Sequence, residues 1–149
     1  MRVALVRILG AGSVCLAALC AARAAAAAEP CKHVTQAQIG AALGVNVGPG
    51  TPIGTTGCEW ATSDSGTRVT ITVWDAANWA LSKSPVPNIT KTPAPGIGDD
   101  AFYTAVQTAI SLSVKKGKHY IVVHAYGVGD PVKQQSIEKT IAIDALPNI

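Results

Sequence analysis

Asp99 and Asp100, two adjacent carboxylates after a glycine turn, are the residues best placed by type to do chemistry. Such a pair can bind a cation or divide the roles of acid and base, with His119 or His124 as a partner. Adjacent residues on an extended chain point apart, however, and Asp after Gly is an ordinary turn choice. His119 and His124 lie five apart on one expected strand, so their side chains leave opposite faces and do not converge on a metal ion. His33 could reach one of them only through a tertiary contact. The sequence contains no G-x-S-x-G, and no serine stands at a strand-to-helix elbow. Gly96-x-Gly98 precedes a strand rather than a helix, the wrong context for a phosphate loop. These readings assign no catalytic residue, metal ligand or cofactor. A small hydrolase or metal-dependent enzyme built on Asp99 or Asp100 with His119 or His124 is the alternative to a non-catalytic binding module.

Aromatic side chains suggest what such a module would use. Val69, Ile71 and Val73 alternate toward a core, so Trp74 should face outward unless the following helix covers it, and the favoured alternative is a Trp wedged under that helix. With Trp79, Tyr103, Tyr126, Asp99 and Asp100 it forms a candidate recognition surface for a protein, an envelope component or a small apolar ligand.

The amino-terminal residues set the compartment. Arg2 and Arg7 give a positive start, Ile8 to Ala22 an apolar run, and Ala24 to Ala28 the small side chains of a cleavage site. Residues 1–28 therefore read as a secretory signal cut near Ala28 and Glu29, delivering the protein to the periplasm or the exterior. Arg23 interrupts the apolar run before the roughly 20 residues a spanning helix needs, so no transmembrane span is expected after processing. Cys20 follows Leu19 and Cys31 follows Pro30, neither of which suits lipid attachment. With Cys15 and Cys20 removed, Cys31 and Cys58 form an even pair that should oxidise to a disulfide. The chain has 12 Lys and Arg against 9 Asp and Glu. Without Arg2, Arg7 and Arg23 the two signs balance, which leaves no cationic footprint for nucleic acid beyond Lys115, Lys116 and Lys118 at a hairpin tip.

The elements that must position these residues follow from local signals. Thr35 and Gln38 form a capping box, with Gly44 just past Leu43, so a first helix is predicted between them. Gly48 to Gly57 reads as a loop. Cys58 and Trp60 share one face of a short strand that turns at Ser63 to Gly66 into the strand from Arg68 to Val73. Asp75 caps a short helix that Pro85 and Pro87 stop, and Asn88 to Pro95 reads as an extended connection. Ala101 to Ala105, Ile110 to Lys115 and Lys118 to Ala125 are strands, the last two joined at Lys116-Gly117. Asp130-Pro131 opens a closing helix with Ile137 and Ile141 inward. Residues 29–149 thus read as a single α+β domain, with one antiparallel sheet of about four to five strands and two or three helices on one face.

The cysteine before a helix ending in Ala42-Leu43-Gly44, the Gly57-Cys58-Glu59-Trp60 segment, the Gly96 to Phe102 turn and the Leu112 to Gly117 strand form a layout. It resembles small exported bacterial domains, the uncharacterised secreted proteins and lipoproteins abundant in actinobacteria. The resemblance implies a cell-envelope or secreted protein without demonstrated catalysis.

Overall fold

The computed structural model describes residues 29–149, so the expected signal segment lies outside the described residues. Seven strands form one antiparallel sheet: β1 (Thr51–Ile53), β2 (Gly57–Ala61), β3 (Arg68–Asp75), β4 (Thr90–Pro93), β5 (Asp100–Val106), β6 (Ala109–Lys116) and β7 (His119–Tyr126). Their order is β1-β2-β3-β7-β6-β5-β4. The helices are α1 (Gln36–Leu43), α2 (Trp79–Lys83) and α3 (Pro131–Ala145).

The expected α+β class and single antiparallel sheet are present, but the strand number is seven rather than four to five. The two strands that sequence reading missed are β1 and β4, the edges of the sheet. They are three and four residues long and contain Pro52 and Pro93. Proline within a short run reads as loop because it removes a ladder donor; at an edge the missing N–H can face solvent, and it discourages pairing with another chain.

One sheet face packs on α1 and α3. Cys58, Trp60, Val69, Ile71, Leu112, Val114, Ile121, Val123 and Ala125 join Ile39, Leu43, Ile137 and Ile141 in the main core. The Thr35 hydroxyl accepts from the Gln38 amide, and the Gln38 side chain accepts from Thr35, as the capping box requires; Gly44 closes α1 in the left-handed region. Cys31 and Cys58 are disulfide-bonded with Cα atoms 5.1 Å apart, joining the turn before α1 to β2.

The expectation of helices on one face alone is corrected by α2. Tyr103 of β5 donates to the Gln135 carbonyl of α3, so its neighbour Phe102 must point to the other face. Trp79 of α2 packs on Phe102 and Tyr120, with ring centroids 5.2 and 5.3 Å away. It thereby forms a second, smaller core on the face opposite α3. Spacing within a five-residue helix tells which of its residues turn inward. It does not tell which side of the sheet receives them.

Candidate functional site

The residues singled out in the sequence are dispersed. Asp99 accepts the Gly117 amide at 2.7 Å and lies 3.7 Å from the Lys116 ammonium, so it ties the turn before β5 to the β6–β7 turn. The Gly117 amide and the neighbouring lysines hold its carboxyl below the ordinary range. Asp100 accepts from Lys83 at 2.7 Å and from the Trp79 indole at 2.9 Å, clamping α2 to β5. Those same partners lower its pKa. Both acids are thus turn and clamp residues by their contacts.

Trp74 does face outward, 45% exposed, paired with Tyr120 near the end of β3 that is remote from the Arg68–Tyr126 pair. Trp79 is 7% exposed and so is removed from any exposed patch. Tyr103 lies on the α3 side of the sheet, where burial and the nearby Glu138 carboxyl raise its pKa. His119 and His124 occupy opposite faces, opposite Asp75 and Thr70 respectively. The tertiary contact invisible in the sequence brings His33 and His119 to one cleft of about 470 Å³ with Trp74 and Asp75. There the His33 Nδ1 lies 2.7 Å from the Asn148 carbonyl. Among the described residues, no group of three or more His, Cys, Asp or Glu has metal-holding geometry. No helix among them is long and apolar enough to cross a membrane.

A different place gathers aromatic, apolar and buried polar groups: the junction of β6, β7 and α3. The β6–β7 ladder runs from Lys116 opposite His119 to Leu112 opposite Val123 and then stops. Two residues further along, the same register would pair Ile110 with Ala125. Instead, two α3 side chains stand between them. The Ala125 amide donates to Glu138 Oε1 at 3.1 Å, Gln134 Nε2 donates to the same oxygen at 3.0 Å, and Gln134 Nε2 also donates to the Ile110 carbonyl at 2.7 Å. The missing backbone bond is thus relayed through a glutamine and a glutamate four residues apart on one helix face. This answers the need of buried backbone groups for partners where the two strands part.

The relay leaves one group unsatisfied. Glu138 is fully buried, and its Oε2 has no hydrogen-bond partner. Burial raises its pKa to about 7, against the opposing effect of its two donors.

Beside the relay lies a cleft of about 480 Å³ between the diverging strand ends and the start of α3. Ala105, Ala109, Ile110, Ala125, Val128 and Pro131 supply apolar surface, and His124, Tyr126 and Gln134 supply polar groups. His124 stacks on Tyr126 at 3.6 Å, and the Arg68 guanidinium lies 4.7 Å over the Tyr126 ring. Burial, then the charge of Arg68, lowers the His124 pKa, so the imidazole is neutral at neutral pH. Gly127 permits the bend that leaves β7 here. Its φ is +75°, and a Cβ on it would fall 1.9 Å from the Gly66 carbonyl oxygen. Gln134 and Glu138 match no motif; the signal for them is their helical spacing with Ile137 and Ile141, which puts all four on the buried face.

No family model, curated protein or solved structure matches the chain.

Proposed function

We propose that the chain is a non-catalytic, exported binding module whose ligand is a small apolar molecule held in the cleft between β6, β7 and α3. The observation that carries this reading is the interruption of the sheet at Ile110 and Ala125. A continuous ladder would fill that place, whereas the relay keeps open a cleft of about 480 Å³ whose size and largely apolar walls suit a small ligand. Polar residues that line it, His124, Tyr126 and Gln134, could fix a ligand's orientation. The engagement of Asp99 and Asp100 in separate contacts supports the non-catalytic reading over acid and base work. The oxidised Cys31–Cys58 pair supports an oxidising compartment.

The test is recovery of the bound molecule. The protein is purified after secretion from an expressing host and extracted with organic solvent, and the extract is measured by mass spectrometry beside that of Ala109→Phe, which places a ring in the cleft. A stoichiometric apolar compound present in the parent and missing from the variant supports the proposal. A stoichiometric metal, or turnover lost in Asp99→Asn or His124→Gln, overturns it.

A further inference from the structure

The charges around the cleft narrow the ligand class. No residue lining it carries a charged side chain, His124 being neutral. The amino end of α3, which would otherwise attract an anion, is already occupied by Asp130, whose carboxylate accepts the Lys133 amide at 2.7 Å. Arg68 is the cation that covers Tyr126, and it faces Glu59 at 4.0 Å. Behind Gln134 stands Glu138, a second acid with an orphan oxygen. An anionic ligand would therefore enter a space with no counter-charge among its lining residues and beside a carboxyl group, the one nearby guanidinium being shared with Glu59.

On the polar side, both Gln134 Nε2 hydrogens are used in the relay, toward Ile110 and Glu138. The amide oxygen of Gln134 accepts no hydrogen bond among the described residues and is not an orphaned buried atom, so it is free to accept one from a ligand.

We infer that the cleft selects uncharged molecules with an apolar body and a hydrogen-bond donor, and rejects their anionic relatives. This rests on the proposed binding role and adds a selectivity to it. The donor meets Gln134 Oε1, the body lies against Ile110, Ala125 and Val128, and the stacked His124–Tyr126 pair borders the mouth.

Two fluorescent probes sharing one skeleton test it on the secreted protein: N-phenyl-naphthylamine, neutral with one N–H, and its anionic sulfonate, anilinonaphthalene sulfonate. The expected result is binding of the neutral probe, loss of that binding in both Ala109→Phe and Thr108→Trp, and affinity for the sulfonate weaker by about tenfold or more. Thr108 is exposed in the β5–β6 turn, so the second variant serves should Ala109→Phe fail to fold. Equal affinities, both blocked by the variants, overturn the selectivity and leave the binding role standing. No binding of either probe, or binding that neither variant disturbs, overturns the assignment of the cleft and the selectivity with it.

Discussion

Replacing Glu138 with Gln should change how stability depends on pH. In the folded chain burial moves the Glu138 carboxyl to a pKa of about 7, whereas its ordinary value is 4.5. A raised acid binds its proton more tightly when folded, so its contribution to stability is complete below the unfolded value and is lost as pH rises through the folded one. At about 1.4 kcal/mol per pH unit, the whole loss is roughly 3 kcal/mol, of which about 2.5 kcal/mol falls between about pH 5 and pH 8. The amide of Glu138→Gln retains an oxygen for Ala125 and Gln134 but cannot ionise. Its new NH2 group takes the place of the unpartnered Oε2, which costs about 1 to 2 kcal/mol at all pH values. Parent and variant are unfolded in urea at the two pH values and followed by tryptophan fluorescence. The difference in stability between them should move toward the variant by about 2.5 kcal/mol as pH rises. Other groups, His124 among them, titrate alike in both proteins and cancel in that difference. A difference constant to within about 0.5 kcal/mol would refute the claim that Glu138 is buried beyond the reach of water.

Removing the disulfide with Cys31→Ser and Cys58→Ser should lower stability by about 3.5 kcal/mol on the chain-entropy model for the 27-residue separation, measured by chemical unfolding. Both thiols reacting with an alkylating reagent in native protein without reductant would contradict the bond itself. Trp79→Ala should cost about 3 to 4 kcal/mol by emptying the second core, while Leu81→Ala, two residues along the same short helix but 73% exposed, should stay within about 0.5 kcal/mol. Equal effects from the two would show that α2 does not rest on the sheet as described. Gly127→Ala should destabilise by about 2 to 4 kcal/mol because its Cβ meets the Gly66 backbone and its φ is positive, and a melting temperature equal to the parent's would contradict that close approach.

Where local chemistry sufficed, the sequence was informative. Thr35, Gln38 and Gly44 specify α1 by capping alone, and the alternation of Val69, Ile71 and Val73 against Arg68, Thr70 and Thr72 gives both the strand and its buried face. The same alternation aims Trp74 outward, but its exposure goes against the favoured expectation that the following helix would cover it, because α2 packs through Trp79 instead. The edge strands escaped because Pro52 and Pro93 argue against a strand until the edge position is known, and edge position is a property of the whole sheet. The placement of α2 escaped for a related reason, since Trp79 could as well have capped either face. At the cleft, Tyr126 and His124 could be read individually as strand residues, but their stacking with Arg68 depends on the β3–β7 register. Helical spacing marks Gln134 and Glu138 as inward-facing, yet a buried Glu is so rarely expected that its role emerges only when the open ladder is seen.

Why the ladder opens decides whether the relay is a device or an accommodation. Direct pairing of Ile110 with Ala125 would satisfy both backbones without burying a carboxyl, whereas the relay leaves Oε2 orphaned at a cost of about 1 to 3 kcal/mol. Sheet twist or the Gly127 bend could force the strands apart, with Gln134 and Glu138 merely filling the gap. Alternatively, the two side chains prop it open. Replacing both together, Gln134→Met with Glu138→Met, separates the cases. If the side chains are the prop, the strands close, the Ala125 amide bonds to Ile110 and becomes protected from hydrogen exchange, stability holds or rises, and the neutral probe is lost. If the splay is imposed by the backbone, both backbone groups are orphaned in an apolar gap, and the double variant loses roughly 2 to 5 kcal/mol with Ala125 exchanging freely. Ile110 and Ala125 keep their other strand partners, Ala105 and Val69, in either case, so the double variant removes only the three hydrogen bonds of the relay and reads their effect alone.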